Sequence, residues 1–150
     1  MDVVDPPTRS RMMSGIRDRD TTPELVVRKS LWQLGYRYRL HRRDLAGVPD
    51  IVLPRHRVAI FVHGCFWHRH AACKLAKLPA TRPEFWRAKL QKNVERDRAA
   101  QVSLLRDGWR VLTVWECATR DRDAAKTLGS TIRNWIVSGE TVGSISLGGE

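Results

Sequence analysis

Residues 58–73 read VAIFVHGCFWHRHAAC and hold three of the chain's five histidines and two of its three cysteines. Imidazoles and thiols this dense can bind a metal or move protons. Cys65-x4-His70-x2-Cys73 supplies three ligands, and Cys117, just past a later apolar run, can supply a fourth. A Cys3His tetrahedron is a common structural zinc set. It uses every cysteine, which accounts for an odd number that a disulfide framework would not. His63 and His68 compete for the histidine place; His70 is preferred because its spacing to Cys73 closes a short chelate loop. Three merely buried thiols are the plainer alternative, but a polar loop full of histidine argues against it.

Asp50, His63, His68 and Asp97 remain, with Glu24 farther off. Hydrolysis of a phosphodiester requires an activated water and neutralised phosphate charge. Mg²⁺ is held by one or two carboxylates together with substrate oxygens, and Asp50 can be such a carboxylate. A histidine oriented by a second carboxylate can deprotonate water; His63 or His68 with Asp97 fits that pair. Taken singly, each has a plainer role: Asp50 shapes a turn after Pro49, His63 fills a core, and Glu24 sits in a helix's first turn, where the dipole favours a carboxylate. Phe66, Trp67 and Trp86 add large aromatics. Adjacent side chains on an extended segment face opposite ways, so one of Phe66 and Trp67 is expected outward, where an apolar ring can wedge between base pairs.

The elements that must carry these groups follow from pattern. Val58–Val62 is a short apolar run bounded by turns, hence a buried strand. Thr22 as N-cap and Pro23 at the first position start a helix through Leu25, Val26, Leu31, Trp32 and Leu34, ended by Gly35. Tyr36–Leu40 alternates as a strand with a basic face, and Val48–Leu53 follows a polar turn, making a meander with 58–62 and Asp50 at an entry. A helix from about Glu84 to Arg106 carries Leu90, Val94, Gln101, Leu104 and Leu105 on one side. Asp97 lies on or beside that stripe, and a carboxylate there needs a partner. Lys89, Asn93 and Asp97, four apart, share a ridge. Trp109–Trp115 is a further strand, and 121–137 an amphipathic helix with Leu128, Ile132, Trp135 and Ile136. Helix, strands, helix, strand, helix implies an α/β fold, a mixed sheet with helices on both faces. Residues 1–20 read as an arm, 21–137 as one domain, and 138–150, rich in Gly and Ser, as a flexible tail.

With 27 Lys and Arg against 16 Asp and Glu, the formal charge is +11. That excess points to a polyanion, most often nucleic acid. A membrane surface is disfavoured, because no basic amphipathic helix has a clean apolar face. No apolar run has transmembrane length and no signal peptide is evident, so a cytoplasmic protein is expected.

Several long runs then become familiar. TRSRMMSGIRDRDTTPE, AGVPDIV, FVHGCFWHRH, PATRPEFWRAKLQKNVERDR and GWRVLTVWEC strongly resemble the very short patch repair (Vsr) endonuclease family, over about residues 8–137. The resemblance implies a restriction-endonuclease-like core, a structural zinc, and Mg²⁺-dependent nicking of one strand of duplex DNA 5′ to the thymine of a T:G mismatch left by deamination of 5-methylcytosine. It implies Asp50 and the backbone carbonyl of Val62 as Mg²⁺ ligands, His63 and His68 as catalytic histidines, Asp97 as partner carboxylate and Glu24 as an acid near the metal's waters. Zinc would fall to Cys65, His70, Cys73 and Cys117. Phe66, Trp67 and Trp86 would intercalate from one groove, Met13 and Ile16 of the arm from the other, and Lys89 and Asn93 would read the mismatch. A monomer is expected, associated with the bacterial nucleoid and working beside mismatch-repair proteins. Two alternatives stand against this reading. One is a non-catalytic zinc-containing DNA-binding module; the other is a cysteine hydrolase using Cys65, which zinc ligation of that thiolate would exclude.

Overall fold

The computed structural model describes residues 20–147. The expectations for Met13, Ile16 and the remainder of the arm to residue 19 lie outside the described residues. In order, the elements are α1 (Thr22–Gln33), β1 (Arg39–Leu40), β2 (Ile51–Leu53), β3 (Val58–His63), α2 (Pro83–Arg106), β4 (Arg110–Trp115), α3 (Glu116–Arg120), α4 (Arg122–Ser138) and β5 (Val142–Ile145). The five strands form one mixed sheet in chain order. β1–β2 and β2–β3 are antiparallel, the expected meander, whereas β3–β4 and β4–β5 are parallel.

Side chains alternate across the sheet, so each strand feeds two cores. Ile51, Leu53, Val58, Ile60, Leu112 and Val114 pack under α1 and α4, against Val27, Leu31, Leu128, Ile132 and Ile136. Val52, Ala59 and Val111 face the other way, against Leu104 of α2 and Trp109. Strands buried on both faces have no polar face to show, which is why Val58–Val62 reads as an unbroken apolar run. Each fully buried Leu or Ile contributes about 1.5–3 kcal/mol of burial free energy, so the sheet is a rigid platform for whatever leaves its ends.

The structure corrects several boundaries. The α1 cap is Thr21, whose side chain accepts the Glu24 N–H, so the cap lies one residue before the expected Thr22. Leu25, Trp32 and Leu34 are exposed; the inward face of α1 is Glu24, Val27 and Leu31. β1 has only two residues, because Tyr36 N–H still bonds back to Leu31 O and Arg37 lies over the Trp32 ring. β2 begins at Ile51, since Val48 has φ +48° and cannot continue a strand. The largest correction concerns 138–150, expected to be a flexible tail. Residues 142–145 are strand β5, registered on β4 from Val111↔Val142 to Val114↔Ile145. Composition misled here because the glycine is a packing device: a Cβ on Gly143 would lie 2.0 Å from Trp135 Nε1. Only the missing side chain lets β5 close over α4.

Candidate functional site

Parallel β3 and β4 end together, with His63 and Trp115 as Cα partners. Ligands in open α/β sheets gather outside such carboxyl ends, where loops diverge. The loop leaving His63 folds tightly, with His68 N–H on Gly64 O (3.1 Å) and His70 N–H on Cys65 O (2.9 Å). This winding sorts the alternating histidines into two groups.

His68 comes back over His63, with ring centroids 3.7 Å apart and planes within 4°. Its Nδ1 lies 2.6 Å from Asp97 Oδ2 on α2. A carboxylate only accepts, so Nδ1 carries a proton, and in the neutral ring Nε2 is the acceptor. A histidine held this way by a carboxylate can act as a base. His63 differs. It is buried, with Nε2 3.9 Å from Asp97 Oδ1, beyond hydrogen-bond range. Its Nδ1 is buried with no hydrogen-bond partner among the described residues. Burial, seconded by the charge of His68 and opposed by Asp97, lowers its pKa from 6.5 to about 3, so the ring is neutral at pH 7. Asp50, entering β2, accepts the Val62 N–H on Oδ2 at 2.7 Å, which fixes that carboxylate against β3 one residue before His63.

His70 and the cysteines form the second group. The ligand atoms of Cys65, His70, Cys73 and Cys117 all lie within 4.8 Å of one another. A tetrahedron with 2.3 Å Zn–S bonds implies S···S edges of ~3.8 Å, so the donor set and its spacing fit zinc with little adjustment. His70 directs Nδ1 at Cys117 Sγ (3.6 Å), while His63 and His68 cluster with Asp97 instead, which decides the competition for the histidine place. Burial pushes the Cys65 thiol up from its ordinary pKa, as expected for clustered sulfurs that need a cation to ionise. Backbone N–H groups of Cys117 and Leu147 reach Cys65 Sγ and Cys117 Sγ, both at 3.4 Å. Glu116 accepts the Cys65 N–H at 3.2 Å.

Glu24 stands in neither group. Its buried carboxylate accepts from Arg28, from His41 Nε2 (2.6 Å) and from the Asp20 N–H (3.1 Å). The tie to Asp50 runs through His41, whose backbone N–H donates to Asp50 O at 3.1 Å. His41 was not singled out from sequence, because it sits in a polar turn with no periodic signal.

An aromatic cluster caps the same edge. Phe66 packs edge-on against Trp67 (5.0 Å) and Trp86 (5.6 Å). Trp67 is exposed while Phe66 is half-buried, the outward-and-inward split expected for adjacent rings. Asn93 donates from Nδ2 to Trp67 O (3.0 Å) and accepts from Arg96 on Oδ1 (2.8 Å), so it braces the aromatic loop. Lys89 is exposed one turn earlier on α2. Phe85, missed from sequence, is the most exposed ring of the cluster, 48% accessible, between Trp86 (5.4 Å) and the Arg82 guanidinium. Its place beside Trp86 at the start of a helix was the available signal. No helix among the described residues is long and apolar enough to cross a membrane.

The chain is similar to known proteins over most of its length. The family model described as DNA mismatch endonuclease Vsr matches residues 1–74. The type II nicking enzyme V.XorIIP of Xanthomonas oryzae pv. oryzae is 44% identical over 133 residues, covering 89% of this chain and 95% of that protein. The DNA mismatch endonuclease Vsr of Escherichia coli K12 is 47% identical over 137 residues, covering 90% and 87%. The type II nicking enzyme V.NaeI of Lentzea aerocolonigenes is 46% identical over 113 residues, covering 72% and 67%.

Proposed function

Since the chain belongs to the family of Vsr DNA mismatch endonucleases, we propose that it nicks one strand of duplex DNA 5′ to the thymine of a T:G mismatch by Mg²⁺-dependent hydrolysis. The observation that carries this reading is the 2.6 Å bond between His68 Nδ1 and Asp97 Oδ2, made where two parallel strands end. In this reading His68 Nε2 takes the proton of the attacking water, and Asp97 holds the tautomer and stabilises the imidazolium that results. Neutral His63, stacked beneath, adds no competing positive charge and stands near the phosphate. Asp50 and the Val62 carbonyl would hold Mg²⁺, which supplies a Lewis acid for the phosphate oxygens. Glu24, tied to the Asp50 backbone through His41, is the acid at the edge of that site.

Binding follows from the other face of the site. Phe66, Trp67 and Trp86 form the wedge beside the mismatch, Met13 and Ile16 of the arm enter from the opposite groove, and Lys89 and Asn93 read the mismatch. Zinc on Cys65, His70, Cys73 and Cys117 staples the histidine loop to the end of β4. The formal charge of +11 supplies the phosphate attraction. A zinc-ligated Cys65 leaves no free thiolate for a hydrolase of the cysteine type.

The test is strand-specific nicking of a labelled duplex with one T:G pair, in Mg²⁺ and in EDTA, with a T:A control and Asp50→Ala, across several flanking sequences. A Mg²⁺-dependent cut 5′ to the mismatched thymine, absent in control and variant, supports the reading. Tight binding with no cut in any context would refute it in favour of a DNA-binding module.

A further inference from the structure

His63 occupies an unusual position for a ring at a reacting centre. Its Nδ1 has no hydrogen-bond partner among the described residues, and its Nε2 stands 3.9 Å from Asp97 Oδ1. What fixes the imidazole plane is therefore packing. Three rings supply it: His68 stacked at 3.7 Å, Phe61 tilted at 5.8 Å, and Trp115 edge-on at 5.2 Å and 75°. His68 is itself part of the moving machinery, since it must take up and release a proton. Trp115 is the fixed wall.

Trp115 is clamped on two further sides. Its indole lies flat on His70, centroids 4.1 Å apart and planes within 9°. Its Nε1–H donates to Ser144 Oγ on β5 at 3.0 Å. Its Cα is paired across the ladder with that of His63. One side chain thus touches the candidate metal cluster, the last strand and the unbonded histidine together.

We propose that Trp115 is a positioning residue for His63: held by His70 and Ser144, it sets the imidazole plane that no hydrogen bond sets. This inference rests on the reading of His63 as a participant in nicking. Loss of the wall leaves a neutral ring free to turn, and a misplacement near 1 Å at a reacting centre costs on the order of 100-fold in rate. DNA affinity should not change, because the ring contacts of Trp115 are to His63 and His70, while Phe66, Trp67 and Trp86 pack on one another.

The experiment compares Trp115→Leu, Trp115→Phe and Ser144→Ala with wild type in full-length, zinc-loaded protein. It measures single-turnover nicking of the T:G duplex, duplex Kd, bound zinc and the nuclear Overhauser contact between the His63 and His68 rings. The expected result for Trp115→Leu is zinc and Kd as wild type, a rate ~10–100-fold lower, and a weakened ring contact. Trp115→Phe, which keeps an aromatic wall, should recover most of both. A wild-type rate in the Leu variant, a Phe variant as slow as Leu, or a loss that tracks zinc or Kd would overturn the proposal. If Trp115→Leu does not fold, Ser144→Ala decides, by a smaller rate loss at unchanged Kd or by none. If wild type cuts no T:G duplex, the proposed function fails, and the ring contact alone decides whether Trp115 positions His63.

Discussion

His63 provides a stability prediction that needs no substrate. Its ordinary pKa is 6.5 and burial lowers the folded value to about 3. Between those values the unfolded chain binds a proton that the folded chain refuses. The stabilisation is therefore fully present above pH 6.5 and is lost progressively as pH falls toward about 3. At pH 7.5 the unfolded imidazole is almost wholly neutral, whereas at pH 5.0 it is almost wholly charged. With 1.36 kcal/mol per pKa unit, the shift costs about 2 kcal/mol between these two conditions. Other groups also titrate in this range, the candidate metal ligands among them, so the measurement must be a difference. Urea unfolding of wild type and His63→Gln, at both pH values, constant ionic strength and saturating zinc, isolates it. Glutamine fills similar space, cannot charge, and leaves the remaining groups in place. The wild type should lose about 2 kcal/mol more than the variant on acidification. Equal losses would show that His63 is not held neutral, and the division of roles between the two stacked histidines would fall with it.

Three other perturbations report on separate parts of the structure. Asp97→Asn should lower the nicking rate ~10²–10⁴-fold with duplex affinity unchanged, because the amide removes the charge that stabilises the His68 imidazolium; a wild-type rate would exclude the dyad. Cys117→Ser should release metal and lower Tm, as binding at a structural site is coupled to folding; an unchanged melt with full metal content would show that the cluster is not a metal site. Gly143→Ala should destabilise by about 1–3 kcal/mol through overpacking of Trp135, measured by urea unfolding, and a neutral result would mean β5 does not close on that indole.

Much of the site was legible because the chemistry is local in sequence. The end of β3 and the loop after it carry His63, Cys65, His68, His70 and Cys73 within eleven residues, and ligand spacing alone proposed the metal cluster that the structure brings together. Asp97 was legible for a different reason, as a carboxylate beside the apolar stripe of a helix, and it does have the partner that position demanded. What escaped is non-local. β5, Val-Gly-Ser-Ile, sits in a Gly/Ser-rich stretch; its place depends on pairing with β4, some thirty residues earlier, and on Trp135 leaving room only for Gly143. Glu24 read as a dipole-favoured residue, yet it is buried with Arg28 and His41, seventeen residues away. No periodicity encodes such a pair.

Depth in the fold gives two neighbouring imidazoles different surroundings. His63 and His68 are five residues apart, chemically identical, and stacked in nearly parallel planes with centroids 3.7 Å apart. Residue spacing alone left open whether His63 or His68 pairs with Asp97; the family resemblance pointed to His68, and the bond to Asp97 is on His68. The fold breaks the tie by depth. His63 is the last residue of a strand buried in the sheet, where desolvation keeps it neutral. His68 lies on the returning loop, partly exposed, where Asp97 reaches its Nδ1. A charged His63 would repel any positive charge on the ring stacked 3.7 Å away, so the burial that costs stability in acid also keeps like charges apart at this site. Charge separation between neighbouring titratable groups is thus a property of strand end against loop, and swapping the two environments, not the two residues, would exchange their roles.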